Sequence, residues 1–139
     1  MSKKSDRFEQ RALEAAKAAV VELRMGVWAI EIVGVRKLEE DNIKLMGHVR
    51  FELARRAMLI RFDLDYDWDK PPAYAPTLEE VIYHEVFHVW LGTCGIGELG
   101  DAFNHGSTKE VQAALEEFTE NACDGWAANF RFSQFEEDN

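Results

Sequence analysis

The spacing of apolar positions changes several times along this chain, and each change marks an expected element. From about residue 5 to 25, Phe8, Leu13, Ala16, Val20 and Leu23 recur at roughly helical spacing, with Ser5 and Asp6 placed to cap the start and Gly26 to end the pattern. A helix is expected there. The stretch VWAIEIVGV, residues 27–35, is rich in β-branched and aromatic side chains and too short for a helix, so it reads as a strand. LEEDNIK after it reads as a turn or loop. The run HVRFELARRAMLIRFDLDYD predicts two further strands, about 48–54 and 57–66, with Arg55 and Arg56 at the turn between them. Residues from about 27 to 66 therefore predict a small antiparallel or mixed sheet.

Pro71, Pro72 and Pro76 then end regular structure, and Thr77 with Glu80 forms the T-x-x-E capping pattern of a helix start. That helix, about 77–91, carries VIYHEVFHVW and stops near Gly92, where TCGIGELG brings three glycines. A loop runs on to His105. Ser107 and Glu110 make a second capping pair, and a last helix, about 108–130, is expected to pack by Val111, Leu115, Phe118, Ala122 and Trp126. The expected fold class is α+β, with one domain over residues 1–139 and a frayed acidic tail expected at its end.

FDLDYDWD sets Asp63, Asp65, Asp67 and Asp69 at every second position, which on a strand places all four on one face and Leu64, Tyr66 and Trp68 on the other. The simple expectation is a solvated strand face. An EF-hand is disfavoured because its glycine and terminal glutamate are missing. A functional alternative makes this strand an edge on which a peptide adds, its carboxylates favouring basic side chains.

Composition narrows the classes. With 139 residues, 47% hydrophobic, the chain can bury a real core; its formal net charge of -10 disfavours nucleic-acid and anionic-membrane partners. No apolar run suits a signal peptide or a membrane span, and Cys94 and Cys123 make neither a disulfide framework nor a CxxC pair. A soluble, cytoplasmic protein is expected.

The chemistry concentrates in VIYHEVFHVW. Residues four apart lie one turn above each other on a helix, so His84 and His88 can aim two imidazoles at one metal ion, with Glu85 beside them. Together they spell H-E-x-x-H, in which zinc takes the imidazole nitrogens and the glutamate faces a zinc-bound water. Two hydrogen-bonded core histidines are the plain alternative. Against it, Val81, Ile82, Val86, Phe87, Val89 and Trp90 surround the pair with apolar groups, where each unpaired polar group costs roughly 2 kcal/mol or more.

Catalytic zinc takes three protein ligands, so a third donor must come from downstream. The metzincin pattern is excluded, because its glycine would fall at Leu91 and its last histidine at Cys94. Glu120-Asn121-Ala122-Cys123-Asp124 offers two carboxylates one turn apart, roughly opposite the apolar stripe of the last helix. Glu116 and Glu117 are alternatives, and all three glutamates could equally form a solvated acidic face.

At this point the chain, from about Gly47 to Ala127, resembles the gluzincins, the thermolysin-like zinc peptidases, in a minimal form without their large accessory domain. The resemblance implies a zincin-like fold with Glu120 as third zinc ligand. It also implies that Asp124 hydrogen-bonds the far nitrogen of His84, and that Glu85 is the general base acting on peptide bonds. A rival resemblance is to the SprT and Spartan-like peptidases, in which a histidine beside glycine follows H-E-x-x-H at a comparable distance. His105-Gly106 is similar, although Asn104 stands where that family has glycine. His105 is thus an alternative ligand or transition-state donor, and Tyr83 and Tyr74 are further oxyanion candidates. The expected partner is a peptide or protein substrate, the expected cofactor Zn2+. A non-catalytic zinc-binding or regulatory protein is the alternative from another class.

Overall fold

The computed structural model describes residues 3–93 and 116–127. In chain order these form helix α1 (Lys3–Glu22), strands β1 (Ala29–Val35), β2 (Glu39–Glu40), β3 (Ile43–Lys44), β4 (Gly47–Glu52) and β5 (Ala57–Asp63), helix α2 (Leu78–Thr93), and a third helix, α3, over 116–127. Three helices and a small mixed sheet make an α+β fold. No described helix is long and apolar enough to cross a membrane.

The first helix differs from its expected form at both ends. It is already helical at Lys3, so Ser5 and Asp6 lie inside it rather than capping it. It ends before the glycine as well: Met25 N–H bonds the Val20 carbonyl at 3.1 Å and Arg24 N–H the Val21 carbonyl at 3.1 Å, while Arg24 takes a left-handed φ of 52°. That pair of bonds is a Schellman ending, and the backbone satisfies its last carbonyls with arginine where glycine is the common choice. The buried face holds Phe8, Ala16 and Val20 as expected, together with Ala12, Ala15 and Ala19. Small side chains at those three positions permit a close approach to α2, which a search for large apolar residues does not register.

The main sheet has the order β1-β5-β4, with β1 parallel and β4 antiparallel to β5. It is therefore mixed rather than purely antiparallel, because the β2–β3 hairpin and β4 both intervene between β1 and its neighbour. The hairpin itself lies in the stretch expected to be loop, Glu39 pairing with Lys44 and Glu40 with Ile43. Asp41 and Asn42 take left-handed φ values of 52° and 65° at its turn, as hairpins of this length require. Met58, Ile60 and Phe62 of β5 are buried and belong to one cluster with the inner faces of α1 and α2.

The acidic alternation is not borne on a strand. Pairing of β5 stops at Asp63, and the chain turns: the Asp65 amide donates to Asp63 Oδ1 and the Asp69 amide to Asp67 Oδ1, both at 3.0 Å. Such turns arise because a short carboxylate accepts from the backbone two residues on. Trp68, 1% exposed, is pinned by its indole N–H to the Asp63 carbonyl at 2.7 Å. Asp69 meets Arg7 at 2.6 Å and Asp67 meets Lys4 at 3.8 Å, so these carboxylates tie the turn to α1. The peptide-adding edge expected here is also overturned, since β5 is the middle strand and β4 is the edge beside β5.

Thr77 caps α2 as its pattern implied, Oγ1 accepting the Glu80 amide at 3.2 Å. Arg11 of α1 clamps the same end through Glu79, with nitrogen–oxygen distances of 2.6 and 3.0 Å. At the crossing of β4 over α2, a Cβ on Gly47 would lie 2.6 Å from Val81 Cγ1, so only glycine permits this approach.

Candidate metal centre

Helical spacing on α2 brings the two imidazoles together, His84 Nε2 and His88 Nε2 lying 3.2 Å apart. From α3, Glu120 addresses both: Oε1 is 2.9 Å from His88 Nε2 and Oε2 is 3.3 Å from His84 Nε2. One turn on, Asp124 Oδ1 lies 2.9 Å from His84 Nδ1. A carboxylate only accepts, so this contact places the proton of a neutral His84 ring on Nδ1 and leaves the Nε2 lone pair facing Glu120 and His88.

Docking of α3 on α2 is aromatic. Trp126 stacks on Phe87 with centroids 5.0 Å apart and meets Tyr83 edge-on at 5.4 Å. Cys123 and Ala127 are buried in the seam, whereas Phe118 is 60% exposed and Ala122 only half-buried. The expected packing stripe is corrected in part: Trp126 packs on α2, but Cys123 and Ala127 rather than Phe118 are buried in the seam, with Glu120 on its rim at 56% side-chain exposure, because the partner surface is the H-E-x-x-H helix itself. Val111 and Leu115 lie outside the described residues.

Glu85 is buried beneath the histidines at 8% exposure. Burial, helped by the charge of Glu120, pushes its carboxyl up to about 8. His88 is pushed down by burial and by its neighbour His84, with Glu120 opposing. The Cys123 thiol, buried near Glu120, Glu85 and Asp124, is pushed up to about 12, burial being the largest cause. Carboxylates and imidazoles gathered in this way leave a buried acid whose charged form has no countercharge among the described residues; a cation supplies one.

Two cavities flank the centre and share Gly47, His84 and Glu85. One, of about 470 Å3, is lined also by Met46, Val81 and Tyr74, and the other, of about 380 Å3, by His88, Glu120 and Phe51. A cleft thus runs along β4 past the imidazoles.

The sequence-predicted residues His84, Glu85, His88, Glu120 and Asp124 are brought together. Glu116 and Glu117 are exposed and join no potential metal-binding group among the described residues. Tyr83 is 3% exposed in the core against Trp126, which removes it as an oxyanion donor; Tyr74 is fully exposed on the rim of the larger cavity. His105 lies outside the described residues. Among the described residues, two groups of donor atoms could hold a metal ion: His84, Glu120 and Asp124, and His84, His88 and Cys123, with the atoms of each group within 4.8 Å of one another. From the sequence, Cys123 shares the face of Glu120 and Asp124 as a small neighbour that permits close helix approach, with no ligand role; its place one turn after Glu120 is the signal that points to one.

No protein-family model, curated protein or solved structure matches the chain.

Proposed function

We propose that this protein is a zinc-dependent peptidase of the minimal gluzincin kind. One observation carries the reading: both oxygens of Glu120 approach the facing nitrogens of His84 and His88, with Asp124 behind His84 and the buried Glu85 carboxyl adjoining. His84, His88 and Glu120 would hold the ion. Two imidazoles and a carboxylate are a donor set of catalytic zinc sites, which keep a further position open.

When bound, zinc supplies Lewis acidity, polarising a peptide carbonyl and lowering the pKa of a water molecule towards about 7. The remaining work belongs to the chain. Asp124, accepting from Nδ1, keeps the Nε2 lone pair of His84 directed into the site and raises its basicity. Glu85, whose charged form is favoured beside a cation, takes the proton of water as its oxygen adds to the carbonyl carbon. It then delivers that proton to the amine as the C–N bond breaks. Strand β4 has no neighbour on its outer side among the described residues, so an extended peptide can add there and lie along the cleft. The cavity at Met46 and Val81 suits an apolar side chain of that peptide.

Elemental analysis with a peptide-cleavage assay tests this. Purified protein is expected to hold about one zinc per chain; Glu85→Gln should keep it and lose cleavage, and His88→Ala should lose both. Protein without metal, or a cleaving Glu85→Gln variant, overturns the reading.

A further inference from the structure

The thiol at the base of the site has an unusual address. Cys123 is 0% exposed, and its sulfur lies within 4.8 Å of a ring nitrogen of each of His84 and His88. Packing alone accounts poorly for that position, because a buried cysteine acting as a small hydrophobe is ordinarily set among apolar groups. This one instead faces two imidazoles, and it occupies the same face of α3 as Glu120, three residues earlier. A thiol, two imidazoles and a carboxylate are the donors of a soft, tetrahedral site, and such a set selects zinc or cobalt over magnesium, calcium or manganese.

We propose that Cys123 is a fourth protein ligand, closing the zinc centre formed by His84, His88 and Glu120 in its resting state. The inference rests on reading the site as a metal centre and adds a means of regulation. Two neutral imidazoles with one carboxylate and one thiolate balance the charge of a divalent ion, which suits a thiol buried between α2 and α3. Four protein donors leave no position for water, as in structural zinc sites. Cys123 must therefore leave the ion before hydrolysis can occur, and a ligand or thiol-modifying agent that displaces it opens the site.

Cobalt spectroscopy tests the proposal without any assay of activity. Metal-stripped wild type, Cys123→Ala and Cys94→Ala are loaded with Co(II), and bound cobalt is counted by elemental analysis. Wild type and Cys94→Ala are expected to show a thiolate-to-cobalt charge-transfer band in the near ultraviolet. Cys123→Ala should bind cobalt without the band, and with affinity lowered at least about tenfold, the scale reached when only a hydrogen-bond partner of a ligand is removed. Bound cobalt without the band in wild type, or a band that persists in Cys123→Ala, overturns the fourth ligand and leaves the three-ligand centre standing. Failure of wild type to bind cobalt overturns both. Should Cys123→Ala not fold, the wild-type and Cys94→Ala spectra decide.

Discussion

Glu85 shows how one side chain can be costly to the fold and useful to the site. Its carboxyl is raised from 4.5 to about 8, so the folded metal-free protein retains a proton that the unfolded chain releases. The stability tied to that proton is complete below the unfolded value and is lost as pH rises through about 8. In chelator-treated protein, Glu85→Gln should therefore match wild type near pH 4. It should become the more stable by about 1–3 kcal/mol at pH 9, as read by denaturant titration at each pH. Equal stabilities at high pH would place Glu85 in water. Arg24 offers a second check at this scale: its left-handed φ of 52° favours glycine, so Arg24→Gly should stabilise by up to about 1 kcal/mol.

At the element scale, two of the seams around the candidate centre depend on side-chain size. Where β4 crosses α2, a valine in place of Gly47 would collide with Val81, whose Cγ1 lies 2.6 Å from the added Cβ. Gly47→Val should cost about 1–3 kcal/mol of stability and disturb Glu85, which lies at the same crossing. Trp126 governs the other seam through its stack on Phe87. Trp126→Ala should leave the sheet intact by circular dichroism yet weaken zinc binding by about tenfold or more, because Glu120 and Asp124 are presented only when α3 is docked. A variant with wild-type zinc affinity would show that α3 is positioned by other contacts. The turn after β5 belongs to this scale too. FDLDYDWD has a strand's alternation, but Asp63 and Asp67 take the backbone amides of Asp65 and Asp69 into turns, and local hydrogen bonds prevail over periodicity.

For the whole molecule, the candidate centre joins α2 to α3, so an ion held there is expected to act as a staple. At a free zinc concentration a hundred times its Kd, binding should add about 2.7 kcal/mol to stability, and chelation should lower Tm accordingly. A Tm indifferent to chelator would show that the ligands do not bridge the two helices. The H-E-x-x-H helix, its Thr77 cap and the carboxylates of α3 were legible in the sequence, because helical periodicity and capping are local and put side chains in register whatever surrounds them. Parallel pairing of β1 with β5, the nearness of the Cys123 sulfur to both imidazoles and the burial of Tyr83 were not. Each depends on which distant segment comes to lie alongside, and a one-dimensional pattern carries no record of that choice.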